Sequence, residues 1–195
     1  LQNINALLIS DNSVALVSEI LSVISLPLLF SLLESDDPKQ VQLTCAVLDK
    51  LLSHLPALEL VKYGHYIELG LHYPGAKVAK TCLQALLRLR EDKTIQELIL
   101  APTMLHLITQ LLGGKDLQCA TLATKLLLQF YSQSDYLDML KDASFAELEQ
   151  LLQGSDIVRY RVFDLMVQSC LKGGPKCFKI VHESGVLSKL VGDLD

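Results

Sequence analysis

Apolar residues return at helical spacing along nearly the whole chain, most clearly from Gly154 to Leu171, GSDIVRYRVFDLMVQSCL. Val158, Val162, Leu165, Met166 and Ser169 share one face there, Gly154 is placed to close the preceding helix, and Ser155 or Asp156 to cap the new one. A helix with a single apolar face cannot bury it alone, so the pattern demands neighbours of the same kind. The chain supplies them. A long helix is predicted from about Gln40 to Leu55 with Thr44, Cys45, Leu48, Leu51, Leu52 and Leu55 inward. A second, KVAKTCLQALLRLRED, turns Val78, Cys82, Ala85, Leu86 and Leu89 inward, and a third, LQCATLATKLLLQFYS, does so with Cys119, Ala123, Leu126, Leu127 and Phe130.

Shorter helices are predicted between the long ones. LPLLFSLLES places Leu28, Leu29, Leu32 and Leu33 on one broad face. Pro56 ends the first long helix and sits in the first turn of ALELVKY, Gly64 introduces HYIELGLHY, and TIQELIL precedes PTMLHLITQLL, which Pro102 opens and Gly113-Gly114 closes. YLDMLKD and ASFAELEQLLQG read as two helices, and CFKIVHES and GVLSKLVGDL follow the break at Gly173-Gly174-Pro175. Leu1 to Ile24 reads as two helical segments broken near Asp11 and Asn12, with a cap offered by Asp11 to Ser13, covering the open end of the core.

The sequence also repeats. KQVQLTC and AKVAKTC align Val41 with Val78, Thr44 with Thr81 and Cys45 with Cys82, and extending the alignment to Cys119 and Val158 gives steps of roughly 37, 41 and 39 residues. The predicted fold is all-α: an armadillo/HEAT-like α-solenoid, a right-handed superhelix of helical repeats, in which three helices per unit favour armadillo over HEAT. It is expected to form a single repeat domain over residues 1–195, with units near 1–55, 56–92, 93–133 and 134–173 and an incomplete one at 174–195.

Composition narrows the partners. Half of the residues are hydrophobic, enough for a continuous core, while 22 acidic against 17 basic residues give a formal charge of −5. A general nucleic-acid binder would need a net basic face, so nucleic acid is not an expected partner. Five cysteines, Cys45, Cys82, Cys119, Cys170 and Cys177, form no CxxC pair, which argues against a disulfide framework or a zinc site and for a reducing compartment. The apolar stretch from Leu21 to Leu33 is interrupted by Ser22, Ser25, Pro27 and Ser31, so neither a signal peptide nor a membrane span is predicted. A start on Leu1 and an end at Asp195, just after a new helix begins, read as an excised fragment.

Candidate chemistry is sparse. Gly113-Gly114-Lys115 lacks the glycine spacing and the hydroxyl residue of a phosphate loop and reads as a helix-ending turn. His65 and His72 lie seven apart on one helix with nothing to complete a ligand set. Cys45 and Cys82 occupy equivalent inward positions, as core residues rather than nucleophiles. Glu34 to Asp37, ESDD, reads as a solvated turn. No catalytic residue, metal ligand or cofactor is predicted, and the chain is not expected to be an enzyme. The polar stripes of the long helices remain: Lys50 and His54; Gln84 and Arg88; Lys125 and Gln129; Arg161, Asp164 and Gln168. Stacking would set them side by side on a concave ridge suited to a protein partner with an acidic or polar helical face. A peptide-gripping armadillo adaptor, the other reading, would carry regularly spaced Asn on these helices, and none stands there.

At Asp156 to Val162, DIVRYRV, followed by Phe163, Asp164 and Leu165, the chain closely resembles the family of proteasome assembly chaperones represented by 26S proteasome non-ATPase regulatory subunit 5. LPLLFSLL at Leu26 to Leu33, VLDKLL at Val47 to Leu52, the Gly113-Gly114 turn with LATK after it, and SGVLSKL at Ser184 to Leu190 extend the resemblance along the chain. The short helices around Tyr63 to Tyr73 and the N-terminal segment depart most from the family's pattern. The resemblance implies the N-terminal part of a longer, non-enzymatic solenoid, cytoplasmic or nuclear. It also implies a partner: the C-terminal domain of one proteasome base ATPase, held together with other base subunits in an assembly intermediate. No membrane or nucleic-acid role is implied.

Overall fold

The computed structural model describes residues 1–10, 14–73 and 75–192, and the side chains of these except 14, 141–144 and 190–192. Helix accounts for every regular element among the described residues. They gather into two compact units, Leu1–Met104 and Leu105–Asp195.

The first unit opens with α1 (Gln2–Ser10), α2 (Val14–Val23) and α3 (Leu26–Ser31), the last running into a 3-10 turn at Leu32–Glu34. The expected cap at Asp11 to Ser13 lies outside the described residues. Leu8 on α1, Val17 and Ile20 on α2, and Leu26, Leu29, Phe30 and Leu33 are buried, so these elements do cover an apolar core. Leu28 is a correction: it is 52% exposed, because α3 turns Leu26, Leu29 and Phe30 inward instead. The long helix α4 (Pro38–His54) begins at Asp37, whose carboxylate accepts from the Lys39 amide at 2.9 Å, with Pro38 in the first turn where its missing N–H costs nothing. The acidic ESDD run is therefore a helix-capping turn.

Two short helices, α5 (Ala57–Lys62) and α6 (Gly64–His72), return the chain to α7 (Ala76–Arg88). Pro56 stands one place earlier than the sequence suggests, as the residue before α5 rather than within it. α4 and α7 pack in parallel, because the pairs that join them keep nearly constant separation: Thr81 Oγ1 donates to Asp49 Oδ1 at 3.1 Å, and Arg88 donates to the carbonyls of Leu52, at 3.2 Å, and Leu55. All six positions predicted inward on α4 are buried, as are Val78, Cys82, Ala85 and Leu86 on α7, while Leu89 just beyond α7 is half-buried. Gly70 shows how tightly α6 joins them. A Cβ there would lie 2.5 Å from Cys82 Sγ and 3.1 Å from the Phe30 ring, so this contact requires a residue with no side chain. α8 (Lys93–Leu100) starts at Asp92, whose carboxylate accepts from the Thr94 amide at 2.9 Å, and buries Ile95 and Ile99.

Pro102 opens α9 (Pro102–Gln110), as expected. In the second unit, α10 (Leu117–Tyr131) is capped by Asp116, which accepts from the Cys119 amide at 2.7 Å, and buries Cys119, Ala123, Leu126, Leu127 and Phe130 at less than 3% exposure. α11 is one helix, Ser134–Leu152, where the sequence suggested two. α12 (Asp156–Glu183) packs on both α10 and α11 and buries Val158, Val162, Leu165, Met166 and Ser169. Its two halves meet at Gly174, whose φ of +69° is left-handed, with Pro175 restarting the helix; the predicted break is thus observed. At the neighbouring Gly173 a Cβ would come within 2.6 Å of the Ser132 carbonyl oxygen, so the break also brings α12 against the end of α10. α13 (Val186–Gly192) follows. No single helix among the described residues is long and apolar enough to cross a membrane.

Candidate functional site

Among the described residues no group of three His, Cys, Asp or Glu could hold a metal. His65 and His72 share α6, yet both are exposed, and the nearest acidic group to His65 is Glu68 at 3.8 Å on the same helix. The glycine turn after α9 sends its amides back into the helix, Gly113 to the Gln110 carbonyl and Gly114 to the Leu111 carbonyl. A phosphate cradle needs those N–H groups pointing outward.

Cys82 is fully buried, and burial pushes its thiol up to about 12. Burial also raises the Cys45 thiol, against the pull of Lys77 across the α4–α7 contact. A thiol held protonated is a poor nucleophile, so both positions serve packing. Cys119 and Cys177 are buried as well, and only Cys170 is part-exposed. Burial raises Cys170 too, so the native chain at neutral pH should react slowly with a thiol-directed dye, one equivalent before the rest. Counting modified thiols against time, with and without denaturant, checks this; rapid modification of all five would contradict it.

The polar residues of the long helices lie outside the buried faces, in different settings. In the first unit Lys50 and His54 are half-buried on α4, with His54 Nδ1 2.9 Å from the Lys50 carbonyl oxygen, and Gln84 is exposed on α7. Arg88 reaches back to the last turn of α4. That turn ends in unpaired carbonyls, and the guanidinium supplies two of their missing donors; burial against the helix end lowers its pKa. In the second unit Lys125 is exposed and Gln129 half-buried on α10, while Arg161, Asp164 and Gln168 are half-buried on α12. Arg161 Nη1 donates to the carbonyls of Leu112 at 2.7 Å and Gly114 at 2.8 Å. The two arginines predicted as ridge charges are thus bonded to main-chain carbonyls at the ends of other helices. Reversing Arg88 should therefore cost the fold these bonds.

Sequence reasoning missed two features of the same helices. Lys77 and Lys80 precede Gln84 at helical spacing, so the stripe on α7 is longer and more basic than the selected pair. On α12 the resembling motif itself exposes apolar side chains, Ile157 at 65%, Tyr160 at 68% and Phe163 at 42%, with Leu171 further along at 73%. Each unit also holds an open groove. One, of about 410 Å³, is lined by Phe30, Leu33, Tyr66, Leu69, His72 and Tyr73, and the other, of about 440 Å³, by Asp138, Phe145, Glu149, Ile180 and Glu183. In the second, Glu149 is already paired with Lys189.

A family model described as proteasome non-ATPase 26S subunit matches residues 1–195, the entire chain. The chain belongs to that family. Two of its relatives, both called 26S proteasome non-ATPase regulatory subunit 5, come from Bos taurus, 27% identical over 169 residues, and Homo sapiens, 25% identical over 169 residues. Each alignment takes in 85% of this chain and 33% of the relative, so this family member spans about a third of the length of the curated relatives it matches. Among solved structures it is similar to computationally designed armadillo repeat proteins for modular peptide recognition, with a TM-score of 0.58 and 17% identity over 89% of this chain and 76% of that one. A designed armadillo repeat protein in complex with the peptide (KR)4 gives a TM-score of 0.56 at 16% identity, over 89% and 76%. The armadillo reading of the fold stands on these likenesses and on the repeated short, short, long order of helices.

Proposed function

We propose that this chain is part of a non-enzymatic chaperone for assembly of the base of the proteasome regulatory particle, and that it binds the C-terminal domain of one base ATPase. The observation that carries this reading is the family match over residues 1–195, joined to the shared name of the relatives. The polar faces of the long helices, with Lys50, His54, Gln84 and Arg88 on one unit and Lys125, Gln129, Arg161, Asp164 and Gln168 on the other, supply the contact surface. Residues 1–195 act as one run of repeats, with units near 1–55, 56–92, 93–133 and 134–173 and a start on the next. The bound chaperone covers the ATPase domain and blocks its docking onto the proteolytic core, alongside other base subunits, in the cytoplasm and nucleus.

Capture experiments with the separate C-terminal domains of the base ATPases test the proposal. One domain should be retained well above the others. Equal retention of all of them, or of none, overturns it.

A further inference from the structure

The groove beside α3 is built from two helix faces of the first unit. Pro27, Phe30, Ser31 and Glu34 stand three or four residues apart on α3 and its 3-10 turn, and Tyr66, Leu69 and Tyr73 do so along α6 and just beyond it. Phe30 and Leu33 are buried at its floor, Tyr66 and Tyr73 are half-buried, and Ser31, Glu34 and Leu69 are exposed at its mouth. The rings are held in place. A Cβ on Gly70 would come within 3.1 Å of the Phe30 ring, the Phe30 and Tyr66 ring centroids are 5.8 Å apart, and Tyr73 donates its hydroxyl to the Leu33 carbonyl at 2.9 Å. That last bond brings the Tyr73 ring next to the residue after Leu33, which is Glu34. Aromatic surface and a carboxylate therefore share one open groove of about 410 Å³.

Glu34 is the one carboxylate lining this groove, no Lys or Arg lines it, and among the described residues Glu34 makes no ion pair. Asp36 and Asp37 follow it in the chain, while His72 stands on the α6 side. Electron-rich ring faces beside an unpaired carboxylate favour a cation with an apolar body. A guanidinium meets both. It is planar, stacks on aromatic faces, forks onto a carboxylate and is weakly hydrated, whereas the ammonium of lysine is a compact, strongly hydrated point charge. Pro27 and Leu69 offer apolar surface to the stem. The groove follows about seven residues of helix, on the order of 10 Å, which matches about three residues of extended chain, and its open side lets that backbone pass. The acidic end repels a phosphate backbone.

We infer that the groove between α3 and α6 receives an arginine side chain from a short extended segment of a protein partner, with the guanidinium against Glu34 and the rings of Tyr66 and Tyr73. The groove takes no residue from the polar faces of the long helices, so it stands apart from the chaperone reading. The probe is a fluorescein-labelled hexapeptide with a single arginine between leucine and proline, compared by anisotropy with the same peptide carrying citrulline, which keeps the shape and loses the charge. Measurement at mildly alkaline pH keeps an ordinary histidine neutral. The arginine peptide should bind at least about tenfold more tightly, the advantage should shrink as salt rises, and a lysine version should fall between the two. Glu34→Gln should remove the advantage. Leu69→Lys, which sets a like charge at the mouth, should weaken the arginine peptide at least about tenfold. Both positions are exposed, so the helical circular dichroism should not change. Glu97→Gln, at an exposed carboxylate on α8, should leave binding as it is. Binding of neither peptide, equal binding of the two, an arginine advantage that survives Glu34→Gln, or an equal loss in Glu97→Gln would overturn the inference. A lysine peptide as tight as the arginine one would overturn the choice of guanidinium.

Discussion

Val162→Asp should unfold much of the second unit's stability. Val162 is completely buried on α12, among Val158, Leu165, Met166 and Ser169, and that face packs on α10 and α11. The substitution removes an apolar side chain from a fully buried site and puts a carboxylate on the face that carries Val158, Leu165 and Met166. Lost packing and desolvation together should cost about 3 kcal/mol or more, a large share of the stability of a small domain. Denaturant unfolding followed by circular dichroism measures it, and Val162→Ala separates the two contributions, since it makes the cavity without the charge and should cost less. An unchanged midpoint for Val162→Asp would mean that α12 is turned away from α10 and α11.

The register of that helix was legible because helical periodicity is a local signal. Val158, Val162, Leu165, Met166 and Ser169 stand on one face in the sequence and are buried together in the structure, and the same holds for α4 and α10. The breaks were legible for a related reason, since Gly174 and Pro102 act through their own backbone restrictions. Leu28 and α11 were misread where the signal is ambiguous. The stretch LPLLFSLL offers apolar residues on every side, so only the neighbours of α3 decide that Leu29 and Phe30 go in and Leu28 stays out. Between YLDMLKD and ASFAELEQLL no glycine or proline intervenes, and the helix runs through.

The polar surface was legible as position and not as partnership. The wheel places Arg88 and Arg161 outside the core, and they are there, yet nothing in their local sequence names a carbonyl 33 or 49 residues away. Such a bond depends on the distance between one helix end and another helix, which is a property of the packed repeat.

Those bonds set the second large expectation: Arg88→Glu should destabilise the first unit, while Lys125→Glu should not touch the second. Arg88 offers a planar, permanently charged fork to the carbonyls of Leu52 and Leu55, at the end of α4 where the helix dipole is negative and intrahelical donors are missing. Hydrogen bonds to a charged group contribute about 1.5–3 kcal/mol, and a glutamate would also bring a negative charge toward that end, so a loss of about 2 kcal/mol or more is expected. Arg88→Lys should recover only part of it, because an ammonium on a flexible stem does not hold both carbonyls in one geometry. Lys125 is exposed on α10, and its reversal should stay within about 0.5 kcal/mol. Arg161→Gln, which removes the charge offered to Leu112 and Gly114, should behave like the Arg88 variants rather than like Lys125. Urea midpoints of the four variants order these expectations. Should Arg88→Glu unfold at the wild-type midpoint, the guanidinium would be a solvated surface charge free to meet a partner.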